Sequence, residues 1–171
     1  VKEFEKSFKT HAAIARKFGY RISVHSGSDK FAVFPAVGRL TQGYFHLKTA
    51  GTNWLQALEV IAETEPAFFR EIWEVAQRVF PAARQYYHIT PNMENIPDAS
   101  ELDDPGLLEL LQNPDSRQIL HVTYGEMLRD RSFGERIYAT LEQHMDDYWQ
   151  SLERHIGRHL DTLGVKKTAR R

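Results

Sequence analysis

Two short β-forming runs, Tyr20-Arg21-Ile22-Ser23-Val24 and Tyr44-Phe45-His46-Leu47-Lys48, each lead into a small polar loop and then into a helical pattern. Ahead of the first run, Phe4, Phe8, Ala12, Ala15 and Phe18 recur near helical spacing over residues 2–18, and Gly19 supplies a stop. Residues 29–40 are ambiguous. Phe31, Val33, Phe34 and Val37 suit a short helix, and Pro35 limits where it can start. The order helix, strand, polar loop, helix, strand, polar loop, helix is the rhythm of βα units on a parallel sheet. Such sheets carry their chemistry at the carboxyl ends of the strands, where both polar loops fall.

From Trp54 onward the pattern turns helical. Helices are expected over residues 53–63 and 66–86, with Asn53 and Thr64 as N-caps and Pro66 near the first turn. A proline-rich loop follows over 89–105, then a short helix over 104–112. Another helix covers 115–130 with a break near Gly125, and a long last one covers 132–163, capped by Ser132 and stopped by Gly164. The expected class is α/β: C-terminal βα units of a TIM-barrel-like parallel sheet in residues 1–53, then a mostly helical extension in 54–171. Two strands do not make a stable parallel sheet alone, and a barrel needs about 250 residues. With no initiator Met and a helix-first start, the chain is expected to be a C-terminal portion of a longer enzyme, inactive in isolation.

Composition narrows the partners. Of 171 residues, 42% are hydrophobic and 26% charged, an ordinary globular balance. The formal net charge of −1 gives no electrostatic case for nucleic acid or an anionic membrane, so neither is an expected partner. The one basic cluster, Lys166-Lys167-Thr168-Ala169-Arg170-Arg171, reads as a solvated terminus. No apolar run approaches the roughly 20 residues that span a bilayer. Cysteine is absent, which excludes disulfides and thiolate chemistry and agrees with a cytoplasmic location. A metal would take imidazole, carboxylate or water ligands.

The octapeptide Val24-His25-Ser26-Gly27-Ser28-Asp29-Lys30-Phe31 packs an imidazole, two hydroxyls, a carboxylate and an ammonium into six residues. No packing demand explains that density at a strand end. His25 can bind a divalent cation or move a proton; otherwise it packs and hydrogen-bonds a carbonyl. Lys30 can grip a carboxylate or stabilise an enolate, Asp29 can orient it, and Ser26 and Ser28 offer hydroxyls; Asp29 and Lys30 can equally open the next helix as cap and surface charge. Gly27 permits a tight turn. At the second loop, Lys48 is followed by Thr49, Gly51, Thr52 and Asn53, a small-residue entry to a helix that suits a carboxylate or sugar hydroxyl. His46 shares a strand face with Lys48. The segments Tyr86-Tyr87-His88 and His121-Val122-Thr123-Tyr124-Gly125 suit either a sugar site or ordinary packing. His144, His155 and His159, on the last helix, read as surface or interface residues; no HExxH pattern surrounds them.

The strings VHSGSDKF (24–31), GRLT (38–41) and FHLKTAGTNWLQAL (45–58) resemble the tagaturonate epimerase family. Its members are longer, metal-dependent enzymes of hexuronate catabolism that interconvert D-tagaturonate and D-fructuronate by inverting C4. The likeness implies a divalent cation as cofactor, with His25 as one ligand, and Lys30, Lys48 and Asn53 as substrate contacts. The sugar acid is the expected partner, and homo-oligomers are left open. The family's catalytic acid and base are expected upstream of Val1. Retro-aldol cleavage with re-addition and deprotonation beside a metal-bound carbonyl both remain open. Two other readings stand beside the epimerase: a metal-dependent keto-sugar aldolase or isomerase, and a non-catalytic helical interaction domain.

Overall fold

The computed structural model describes residues 1–25, 31–49 and 51–165, with only the backbone at Thr52. Ser26, Gly27, Ser28, Asp29, Lys30 and the basic tail lie outside the described residues. The architecture is mostly helical, with a two-stranded parallel sheet. None of the described helices is long and apolar enough to cross a membrane. The chain divides into two compact units: residues 1–52 together with the chain from Leu152 onward, and residues 53–151.

In the first unit, helix α1 (Lys2–Phe18) buries Phe8, Ala12 and Ala15 on one face and ends where Gly19 turns left-handed at φ 72°. Strand β1 (Ile22–His25) follows, then helix α2 (Phe34–Thr41), then strand β2 (Phe45–Lys48). Of the ambiguous 29–40 stretch, residues 34–40 belong to α2, because Pro35 sits in its first turn, where a missing N–H costs nothing. The strands pair in parallel, Ile22 with Phe45, Ser23 with His46, Val24 with Leu47 and His25 with Lys48. Their alternation sorts the side chains onto two faces. Ile22, Val24, Phe45 and Leu47 join the apolar cluster of Phe8, Ala12, Phe34, Val37 and Leu163. Ser23, His25, His46 and Lys48 are exposed on the other face.

Helix α9 (Met145–Thr162) brings its last turns into this same unit. There the backbone of Leu163 comes so near Gly38 of α2 that a Cβ would lie 1.9 Å from the Leu163 carbonyl oxygen. Only glycine fits, which gives the first residue of the GRLT string a packing reason. Gly38→Ala is expected to lower stability by about 2–3 kcal/mol through forced separation of the two segments, read as a shift in the urea unfolding midpoint at unchanged slope.

The second unit is built on helices α3 (Thr52–Thr64) and α4 (Pro66–Ala83). Short helices α5 (Glu109–Gln112), α6 (Pro114–Val122) and α7 (Tyr124–Arg129), then α8 (Arg131–Gln143), complete it. Leu58, Ile61, Phe68, Phe69, Ile72, Leu107, Leu110, Ile119, Leu120 and Met127 are fully buried there. Trp54 donates its indole N–H to the Leu120 carbonyl at 2.9 Å. Arg70 on α4 donates to the carbonyls of Ala99 and Leu102 and pairs with Asp104, tying the proline-rich loop to the core.

Several sequence expectations are corrected at helix ends. The long last helix is two, α8 and α9, broken at His144, whose backbone leaves helical geometry at φ −112°, ψ 36°. Ser132 is not the cap. Asp130 is, accepting from the Phe133 N–H while the Ser132 hydroxyl donates to the same carboxylate, and these bonds hold its pKa below the ordinary value. Thr64 does not cap α4; its hydroxyl donates back to the Val60 carbonyl within α3, and Glu65 takes the cap position. The 115–130 helix breaks at Thr123 rather than at Gly125, because Asn113 caps α6 early and the Thr123 hydroxyl folds back onto Ile119. Asn113→Ala should cost about 1 kcal/mol by thermal unfolding, since its side chain accepts from two backbone N–H groups at the start of α6.

Candidate functional site

The pairing of β1 with β2 sets His25 beside Lys48 at the carboxyl ends of both strands. Neighbours in a parallel register project to the same side, so imidazole and ammonium share one face. Both are exposed. One step back along the strands, Ser23 and His46 share a hydrogen bond of 2.9 Å between the hydroxyl and Nδ1. That bond occupies one ring nitrogen of His46, so a further partner would meet Nε2. The result is a polar sheet face of one hydroxyl, two imidazoles and a lysine, backed by the apolar core on the other side.

This face has the chemistry to hold an anionic polyhydroxy compound. Lysine offers a mobile cation, and the imidazoles can donate, accept or ligate. As a metal centre it is incomplete by itself: no group of three or more His, Asp or Glu among the described residues is arranged to hold an ion. A cation on His25 would need donors from beyond these residues.

Of the other predicted site residues, Ser26, Ser28, Asp29 and Lys30 fall outside the described residues. Asn53 is not the cap of α3, because the helix already begins at Thr52. It sits half-buried in the first turn, and its Oδ1 is buried without a hydrogen-bond partner among the described residues. An orphaned acceptor of that kind costs free energy and marks a place where a donor would be welcome.

His155 and His159 overturn the surface reading. Both are buried, and His159 is fully so. The amphipathic face of α9 that carries them turns inward, where the His159 ring lies 4.7 Å from the ring of Phe31 and 5.5 Å from that of Phe34. Its Nδ1 is 2.8 Å from the His155 carbonyl oxygen. A carbonyl only accepts, so Nδ1 carries a proton, and Nε2 is buried with no hydrogen-bond partner among the described residues. The guanidinium of Arg158 lies 4.2 Å over the opposite partner in this stack, Phe31. The sequence signal was available in part: residues 155 and 159 are four apart and share one face of α9, but spacing alone does not say whether that face meets solvent or core. His159→Phe should leave stability within about 1 kcal/mol, because it keeps the ring contacts and removes the orphaned nitrogen, whereas His159→Ala should cost about 2–4 kcal/mol. Denaturant unfolding of the two variants separates packing from polarity.

The two aromatic segments singled out in the sequence meet in the second unit. Tyr86, Tyr87 and Tyr124 line one concavity of about 260 Å³ with Ala83, Val122, Gly125, Glu126 and Arg129. His88 is exposed and His121 half-buried, and neither lines it.

Comparison with known proteins follows the same path as the motifs. A family profile described as tagaturonate epimerase matches residues 1–163. The tagaturonate/fructuronate epimerase of Thermotoga maritima is 44% identical over 162 residues, covering 94% of this chain and 34% of that protein. The native crystal structure of the fructuronate-tagaturonate epimerase UxaE from Cohnella laeviribosi superposes with a TM-score of 0.92 at 45% identity, over 96% of this chain and 35% of that one. A glycerol-complexed structure of the same enzyme gives 0.91 at 46% identity. The chain thus spans about a third of the length of these relatives.

Proposed function

Because the chain belongs to the tagaturonate epimerase family, we propose that it is part of an enzyme that interconverts D-tagaturonate and D-fructuronate at C4. The observation that carries the reading is the in-register pair of His25 and Lys48 at the carboxyl ends of two parallel strands. In α/β enzymes with parallel sheets this is where substrate is bound. The apolar face of the sheet is already covered by helices, and the opposite face is polar, as the inward face of a barrel-like scaffold would be near its mouth.

In this reading Lys48 holds the carboxylate of the sugar acid, and His25 is one ligand of a divalent cation whose other ligands come from beyond the described residues. The cation would supply charge stabilisation at the oxygen next to the inverted carbon. Ser26, Ser28, Asp29 and Lys30 are proposed as further substrate contacts from the loop after β1. Asn53 is proposed to accept a substrate hydroxyl, on the strength of its orphaned Oδ1. The cytoplasm is the proposed location, in keeping with a cysteine-free chain.

The deciding experiment uses the longest form of the protein that carries this segment. It is stripped of metal, refilled, and assayed for conversion of tagaturonate to fructuronate. Activity should vanish on chelation and return with a divalent cation. His25→Ala should lower kcat/KM by about a hundredfold or more and weaken metal retention. Lys48→Met should raise KM by about ten- to a hundredfold, the loss of one charge-assisted contact of roughly 1.5–3 kcal/mol. Conversion that survives His25→Ala with metal still bound would return His25 to a structural role. The 171-residue chain alone should show no conversion.

A further inference from the structure

The concavity formed by Tyr86, Tyr87 and Tyr124 lies within the second unit, and its residues are unusual for mere packing. Tyr86 is 78% exposed, Tyr87 41% and Tyr124 40%. Large aromatic faces left in solvent around one hollow offer flat apolar surface edged by phenolic hydroxyls. The remaining lining adds small residues, Ala83 and Gly125, and nothing lies within 4 Å of where a Cβ on Gly125 would stand. A flat ring can therefore approach closely.

The charged edge of the hollow is also specific. One terminal nitrogen of Arg129 donates to both carboxylate oxygens of Glu126, at 2.7 Å each. The guanidinium is a planar fork, so engaging one nitrogen leaves the edge formed by Nε–H and the other terminal nitrogen turned away from Glu126. The Arg129 side chain is 72% exposed. That edge matches a carboxylate in two-point geometry. Two other hollows among the described residues differ. In the one lined by Arg70 and Trp73, Arg70 is spent on Ala99, Leu102 and Asp104. In the one lined by Ala12, Ala15 and Tyr20, Arg16 is spent on the Leu40 carbonyl.

We propose that the Tyr86–Tyr87–Tyr124 hollow is a second binding site, for the pyranose form of a hexuronic acid. The C–H face of the sugar ring lies on the tyrosine faces, the phenolic hydroxyls meet its hydroxyls, and its carboxylate takes the open edge of Arg129. The choice of an acidic sugar among anions that stack on aromatic rings rests on the epimerase reading. Binding here involves no covalent step.

The test is a titration of the longest form of the protein that carries this segment with D-galacturonate, and with D-galactose as the uncharged comparison, followed by the aromatic signals of tyrosine in NMR spectra. Saturable perturbation of Tyr86, Tyr87 and Tyr124 by galacturonate, with Kd of order millimolar, is expected. Tyr86→Ala and Tyr124→Ala should weaken it at least about tenfold; both side chains are exposed, and an unchanged thermal midpoint checks that the fold is kept. Arg129→Gln should weaken galacturonate about tenfold, and Glu126→Gln, which releases the guanidinium, should tighten it severalfold; galactose should respond to neither. Opposite signs from that pair are not produced by a purely structural contact. No perturbation at the three tyrosines, or equal binding of both sugars in all variants, would overturn the proposal. Because the readout is binding at these tyrosines, a failed epimerase assay and a failed titration are separate results.

Discussion

A four-residue parallel register carries the first unit. Because side chains alternate along a strand, the pairing of Ile22 with Phe45 through His25 with Lys48 decides two things at once. It puts Ile22, Val24, Phe45 and Leu47 on the core side, and it gathers Ser23, His25, His46 and Lys48 on the other. A slip of one residue in either strand would send a histidine or lysine into the core, at a cost of several kcal/mol for an unpaired buried charge. The polar face is therefore held in place by the same hydrophobic burial that folds the unit, and the candidate chemistry inherits its rigidity.

The sheet is too small to bury its own apolar face, so helices must cover it. Helix α1 supplies Phe8 and Ala12, α2 supplies Phe34 and Val37, and the end of the chain supplies Leu163. The last of these requires the backbone at Leu163 to sit against Gly38 with no Cβ between them. It also brings His159 against Phe31, the residue that resumes the described chain after the first polar loop. The second unit pairs several of its buried polar groups locally. Ser116 donates to Leu110, Ser151 to Gln56 and Trp54 to Leu120, so these donors are matched within the unit.

Much of this was readable in one dimension. Phe8, Ala12 and Ala15 lie at helical spacing and are the buried face of α1. Both strands appear within two residues of where β-forming runs end in polar loops. The helix stops at Gly19 and Gly164 hold, each at positive φ. Capping was less legible. Asp130, Ser132, Thr64 and Asn53 are all acceptable cap residues, and which one acts depends on where the chain enters the helix, a choice made by tertiary packing. The break at His144 had no glycine or proline to announce it. Burial of His155 and His159 depends on which face of α9 packs, and their four-residue spacing does not encode that.

By itself, the amino-acid order determined the element types, the alternation of polar and apolar positions on two strands, and the family motifs, because these depend on spacing along the chain. Only the tertiary structure decided that His25 stands beside Lys48, that the end of the chain returns to Gly38, and that three tyrosines from two separated segments ring one hollow. Those are relations between residues distant in sequence. They follow from which apolar faces pair with which, and no local propensity encodes that pairing.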